Sequence, residues 1–259
     1  GAGGNLDPLY VFSNDGRLLW RRELDDVVRF GGDRFGPPWN TGPVVVQRSG
    51  PTARIVWATH HHTWWPAVVA RLDARGAVLD RFLHPGWITS MIEGPGDTLL
   101  LGGVHNAADA DVLAVLDAQS WPGTSPSGPD LDAPSYECRG CPAGRPLRYF
   151  VLPRSELNAA VNAPRQQAHI KAFDTGVEVR IQQAQADALA GEAIFELSTD
   201  LRPVRARMSD SYWTWHRRLE RDGKIAHGAG HCPDRRGLTV RQWDRGRGWS
   251  TVFIPASDL

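Results

Sequence analysis

Five histidines fall in three short stretches, His60-His61-His62, His84 and His105. A neutral imidazole is a good ligand for zinc and other first-row transition ions. Imidazoles gathered from separate loops could therefore hold such an ion and leave one position open for water. Tryptophans stand beside them, in Trp39-Asn40, Trp64-Trp65 and Trp87. Indole faces are flat platforms for a sugar ring, an aromatic ligand or a partner's side chains, and in other settings simply wedge sheets apart. Neighbouring residues at a strand end point in opposite directions, so one or two of His60-His61-His62 can face a common point. The candidate metal ligands are His60, His62 and His105. The candidate ligand-binding set is Trp39, Asn40, His60, His62, Trp64, Trp65, His84, Trp87, His105 and Asn106.

The three cysteines give a second chemistry. Cys138-Arg139-Gly140-Cys141 is a CxxC with Pro142 where haem attachment needs a histidine. A redox CxxC wants a helix starting at its first cysteine to lower the thiol pKa, whereas Gly140 and Pro142 favour a loop. Zinc would need a second ligand pair, which Cys232 with His231 could complete. The leading expectation is a Cys138–Cys141 disulfide clipping a long loop, which implies an oxidising compartment and leaves Cys232 as a free thiol. Reaction signatures are absent: no GxSxG, Walker loop or GxGxxG stands between a strand and a helix. Asp73, Asp117 and Asp200 sit in turn sequences, where aspartate is ordinary turn chemistry.

The elements that must position these residues are short and strand-like. Tyr10-Val11-Phe12, Asn14-Asp15-Gly16 and Leu18-Leu19-Trp20 read as a hairpin, and the same shape returns over 68–82. Grouped with the apolar runs ahead of them, these segments form units of four strands whose first strands begin near residues 42 and 87. A four-strand repeat of about 45 residues is the spacing of propeller blades. A Gly/Pro/Ser-rich insertion at 121–167, with a short helix in its last part, separates a further unit over 170–204. One longer helix is expected near 210–222, started by Ser209 or Asp210, with Tyr212, Trp215, His216 and Leu219 on one side and Gly223 ending it. Three closing strands are expected at 224–229, 238–243 and 249–254. The expected fold is mostly β: a small propeller-like ring of four or five four-stranded blades. Residues 1–8 read as linker, and 9–259 as a single domain closed by strands from both chain ends. A two-sheet sandwich is the alternative. In a ring, the second-to-third-strand loops and the blade-to-blade loops emerge on one face, so the histidine and tryptophan segments converge on a common rim.

Phe35-Gly36-Pro37-Pro38-Trp39, Leu72-Asp73-Ala74-Arg75-Gly76 and the strand–turn–strand from Gly94-Pro95-Gly96-Asp97 into Thr98-Leu99-Leu100-Leu101-Gly102-Gly103 resemble degenerate FG-GAP/VCBS-type propeller repeats. That resemblance implies a scaffold used for extracytoplasmic adhesion or sensing, with calcium held in an acidic loop. Here the corresponding loops read Gln47-Arg48-Ser49-Gly50-Pro51-Thr52 and Glu93-Gly94-Pro95-Gly96-Asp97. Calcium takes six to eight oxygen ligands, so no calcium is expected in them.

Length and charge bound the rest. The 259 residues carry 29 Lys+Arg against 29 Asp+Glu, a net charge of zero that removes the main electrostatic reason to expect a nucleic-acid partner. No apolar run approaches the ~18 residues of a membrane span. The function expected is a non-enzymatic recognition or sensor domain, extracytoplasmic, that binds a protein, small molecule or carbohydrate through the His/Trp rim. No cofactor is expected beyond a transition ion at the rim histidines. The alternatives are a transition-metal-dependent hydrolase or lyase using those histidines, and an architectural subunit of a larger assembly.

Overall fold

The computed structural model describes residues 7–48, 52–61, 65–121, 123–128, 131, 133–161, 168–186 and 189–256. Two antiparallel ribbons open the chain, β1 (Leu9–Phe12) with β2 (Leu18–Arg22) and β3 (Val28–Phe30) with β4 (Asp33–Phe35). An up-and-down meander follows: β5 (Asn40–Gln47), β6 (Arg54–His60), β7 (Ala67–Leu72) and β8 (Val78–His84). A second comprises β9 (Gly86–Gly94), β10 (Thr98–His105) and β11 (Ala110–Asp117). The short β12 (Gly123–Thr124) returns to lie parallel to β8, and β13 (Arg148–Leu152) pairs with β11. After helix α1 (Glu156–Val161) comes a third meander, β14 (Ala168–Phe173), β15 (Gly176–Ala186), β16 (Leu189–Leu197) and β17 (Pro203–Met208). Helix α2 (Asp210–Arg221) and the hairpin β18 (Gly237–Asp244) and β19 (Gly248–Pro255) complete the chain.

Three larger sheets result, ordered β12-β8-β7-β6-β5, β19-β18-β13-β11-β10-β9 and β14-β15-β16-β17. Side-chain alternation explains how they stack. On the six-stranded sheet, Leu100, Leu113, Val115, Phe150, Leu152 and Val240 share one core with Val177, Val179, Phe195 and Met208 of the four-stranded sheet and Tyr212, Trp215 and Leu219 of α2. The residues next to them in sequence, Leu99, Leu101, Val112, Ala114, Leu116, Tyr149 and Val151, point the other way. They share a second core with Val56, Ala58, Val69 and Phe82 of the five-stranded sheet. The far face of that sheet, Ile55, Trp57, Val68, Ala70 and Leu72, is covered by Leu24, Phe30, Phe35 and Trp39 from the amino-terminal segment. A strand buried on both faces is apolar wherever its side chains find no polar partner, which is why β7 and β10 are nearly continuous apolar runs, and the one charged residue in them, Arg71, donates to the Ala118 carbonyl at 2.7 Å.

The stack ends on the outer face of the four-stranded sheet, where the strands alternate in polarity. Glu178 and Glu196 stand opposite each other across β15 and β16. Arg207 bridges them at 2.9 and 3.1 Å, Arg180 and Arg205 join at 2.6 Å each, and Glu192, 3.5 Å from Arg180, completes the charge balance.

The mostly-β expectation holds, and the meanders at 40–84 and 168–208 match two of the expected four-strand units. The sheets are open, and none closes on itself. Closure by strands from both chain ends is not seen among the described residues. β1–β2 remains a separate ribbon tied to the β7–β8 turn through Trp20 Nε1, which donates to the Ala74 carbonyl at 2.9 Å. β18–β19 adds instead to β13. A two-sheet sandwich is likewise not the arrangement, since the six-stranded sheet has a partner on each face. The strand expected at 224–229 is irregular, because the chain leaves α2 through Gly223 in the left-handed region (φ 70°) into turns. The α2 expectations hold in detail: Ser209 Oγ accepts from Tyr212 N, and Tyr212, Trp215, His216 and Leu219 are its buried side. Cys138 and Cys141 form the expected disulfide, and its loop is zipped to β3 through Gly31 N donating to Glu137 O at 2.8 Å and Arg139 N to Arg29 O at 2.9 Å. Among the described residues no helix is long and apolar enough to cross a membrane.

The sorting of alternate residues into separate cores predicts that Leu99→Ala and Leu100→Ala each cost about 2–5 kcal/mol, although their side chains leave different cavities. Phe12→Ser on the exposed face of β1 should stay within about 0.5 kcal/mol. Urea unfolding of the three variants checks both statements.

Candidate metal centre

The segments expected to form the rim do meet. Gly86 at the start of β9 pairs with His105 at the end of β10, and the His60 ring lies 5.3 Å from Trp87. Their faces, however, are used in packing. Trp39 is buried with Nε1 donating to Asp26 O at 3.0 Å, and His61 stacks edge-on against Phe35 and Trp39 at 5.3 and 5.5 Å. Trp65 packs on Phe35 and Tyr136 at 5.0 and 4.8 Å. His84 and His105 are buried 5.5 Å apart, and the Asn106 backbone N–H donates to Pro85 O at 3.0 Å. Asn40 is exposed, its Nδ2 donating to His61 O at 3.3 Å. A side chain at Gly86 would stand 1.7 Å from Val104 O, so only glycine lets β9 and β10 close over this end. His62 and Trp64 lie outside the described residues. His60 and His105 join no group of three metal-ligating side chains among the described residues, and the expected His60/His62/His105 set turns on His62, which lies outside them.

A different set is assembled. Glu156, His216, His227 and Cys232 bring one ligand atom each to within 4.8 Å of one another. The topology dictates the meeting. β13 and β18 are antiparallel neighbours, with Val151 opposite Arg241, so the chain leaving β13 and the chain entering β18 share one end of the sheet. Glu156 begins α1 just after β13, and Cys232 lies just before β18. α2 supplies His216 from the side it turns to the core, and the loop after α2 brings His227 back over it, with ring centroids 5.4 Å apart.

The polar atoms of this set are poorly satisfied by protein. His216 is 0% exposed, and neither of its ring nitrogens has a hydrogen-bond partner. A buried imidazole without partners forgoes the hydrogen bonds it makes in water, a cost of about 1–3 kcal/mol. His227 Nε2 lies 3.0 Å from Glu156 Oε2, yet the two are not aligned as a hydrogen bond. The contact is an ion-pair distance, and the missing alignment is what two ligands of one ion would show. Cys232, 2% exposed, donates from Sγ to Glu156 Oε2 at 3.4 Å. Burial, reinforced by the nearby Asp234 and Glu156 carboxylates, pushes its thiol up to about 12. Burial, then the neighbouring His227, holds the His216 imidazole below the ordinary histidine range. The apo set thus holds a neutral His216 imidazole and a protonated thiol beside a carboxylate, and an ion entering it would displace the thiol proton.

The sequence puts His216 on one side of α2 with Tyr212, Trp215 and Leu219, and offers Cys232 with His231 as zinc ligands. In the structure His231 is exposed, and His227 takes that place. Glu156, 60 residues before His216, carries no local signal, since only the β13–β18 pairing brings it in. Comparison with family models, curated proteins and solved structures finds no match for the chain.

His84 gives the aromatic end a pH signature. Its Nε2 meets the Val104 carbonyl at 2.9 Å, so that nitrogen carries the proton of a neutral ring, and burial lowers its pKa from 6.5 to about 4. The unfolded chain therefore binds the extra proton first, and the contribution present above pH 6.5 is lost as pH falls toward 4. Between pH 7 and 4.5 the loss should be about 2–3 kcal/mol. His84→Gln, which keeps a donor for Val104, should remove most of that slope in urea titrations at the two pH values.

Proposed function

We propose that the protein is a non-catalytic, metal-stabilised β-sheet recognition domain whose helical cap is fastened by one transition ion of the zinc class, held by Glu156, His216, His227 and Cys232. The observation that carries this reading is His216, fully buried with two unsatisfied ring nitrogens inside a cluster of three further ligand atoms. A thiolate, two imidazoles and a carboxylate form a borderline-soft set that suits zinc and excludes the oxygen-only cages of calcium and magnesium. Adjacent ligand atoms in a tetrahedral zinc site stand about 3.3–3.8 Å apart at the usual bond lengths. The 3.0 and 3.4 Å contacts need only small adjustment to reach that spacing. Four protein ligands leave no position for substrate, the pattern of structural sites. Neither of the two clefts lined by Phe30, His105 and Tyr136, or by Arg148, Arg202 and Arg247, includes a member of the set.

The serial stacking of four-strand meanders supports kinship with propeller repeats of the FG-GAP/VCBS type, arranged as an open stack. The disulfide supports an extracytoplasmic setting. A protein, small-molecule or carbohydrate partner would meet the half-buried Trp65, Trp87 and His60 rather than the buried members of the rim. One observation favours a hydrolase or lyase as a second reading: Glu156 and His227 are about 30% exposed, so solvent reaches that side of the set. Glu156 would then stand off the ion as a general base.

Protein purified without a histidine tag, loaded with zinc and desalted should retain one ion per chain by elemental analysis. His216→Ala and Cys232→Ala should each retain less than about a tenth of an ion per chain, because a site short of one ligand loses much of its binding free energy. Glu156→Gln should also lose zinc under the structural reading and keep it under the hydrolytic one. No stoichiometric transition ion in the parent protein would overturn both.

A further inference from the structure

Behind the ligand set lies a buried polar cluster that the ligands themselves do not explain. Asp234 is 6% exposed, and a single oxygen, Oδ2, accepts from two donors: the backbone N–H of Glu156 at 2.9 Å and the Tyr212 hydroxyl. The Tyr212 oxygen accepts in turn from the backbone N–H of Leu157 at 3.3 Å. Tyr212 is fully buried, and burial together with the Asp234 charge raises its pKa, so it stays a neutral donor.

These contacts join the segments that carry three of the four ligands. Tyr212 lies one helical turn before His216 on α2, Asp234 lies two residues after Cys232, and both hold the first two N–H groups of α1, where Glu156 sits. A six-residue helix has little stability of its own, and its first N–H groups need acceptors from elsewhere. Ser155 and Asn158 are anchored independently, Ser155 N donating to Gln183 Oε1 at 3.1 Å and Asn158 Nδ2 to Gln183 O at 2.8 Å. The Gln183 contacts fix where α1 lies, and the Asp234–Tyr212 contacts fix how its first turn is aimed.

Resting on the metal reading above, we infer that Asp234 and Tyr212 are positioning residues of the metal centre: the shared Asp234 oxygen registers α1 against α2 and the Cys232 segment, so that the Glu156 carboxylate completes the coordination sphere. Groups that orient ligands from behind in this way are worth about 10–100-fold in metal affinity.

The test uses the full chain, with zinc affinity measured by chelator competition and Co²⁺ as a spectroscopic probe of the same site. Tyr212→Phe keeps the buried ring and removes only the hydroxyl. It should weaken zinc binding about 10–100-fold. It should also alter the Co²⁺ d–d bands while leaving the thiolate charge-transfer band, since Cys232 remains bound. A double-mutant cycle supplies a readout that mere destabilisation would not move. If Tyr212 acts through Glu156, then Glu156→Gln should cost much less in the Tyr212→Phe background than in the parent. Asp234→Asn, which keeps an acceptor oxygen but no charge, should fall between parent and Tyr212→Phe, and Asp234→Glu should not rescue because it displaces that oxygen. Parent protein that binds zinc, with Tyr212→Phe binding equally well or with additive costs in the cycle, overturns the positioning role and leaves the metal reading standing. Parent protein that binds neither Zn²⁺ nor Co²⁺ overturns both.

Discussion

The middle strands of the six-stranded sheet, β10, β11 and β13, have no wet face, and the rest of the molecule follows from that constraint. β10, β11 and β13 send alternate residues into two different cores, so slipping any of them by one position would exchange the side chains of both. Register in such a sheet is set from two sides at once. The meanders on either side need one polar face at most: the four-stranded sheet ends the stack with a ladder of arginines and glutamates, and the five-stranded sheet is closed by the amino-terminal ribbons and the disulfide loop.

The same constraint builds the candidate metal centre. Since β13 must pair with β18 to complete the central sheet, the end of one and the start of the other are forced together, and the connecting segments collect Glu156, Asp234 and Cys232 within a few residues of that junction. α2 lies over the four-stranded sheet with Tyr212, Trp215 and Leu219 in the shared core. The fourth member of that helical side, His216, is thereby buried where no protein group meets its nitrogens. An apolar residue at that position would satisfy the core without cost. A histidine there makes sense as a ligand.

Local pattern in the chain revealed what depends on neighbours in sequence. The hairpins at 9–22 and 67–84, the helix with Ser209 at its start and Gly223 beyond its end, and the Cys138–Cys141 clip all have short-range causes, and each is found in the structure. The convergence of His60, Trp87 and His105 at one end was also legible, because strand order fixes which loops share an end. Burial was not legible. Histidine and tryptophan in loop-like sequence read as exposed recognition groups, whereas Trp39, His84 and His105 serve as packing. Ring closure is not found because local pattern leaves the hairpin 237–255 free to meet the chain's opening strands, while β13, arriving after a long insertion, pairs with it instead. Glu156 and His227 were missed for the same reason: neither stands in a motif, and their meeting depends on a pairing made across about 90 residues.

X-ray absorption at the zinc edge of zinc-loaded protein addresses the central claim most directly, because it counts the atoms around the ion without reference to any variant. The account predicts a four-coordinate shell with one sulfur at about 2.3 Å and three nitrogen or oxygen neighbours at about 2.0–2.1 Å, two of them showing imidazole multiple scattering. A shell without sulfur, or a six-coordinate one of light atoms alone, would place the ion away from Cys232 and contradict it.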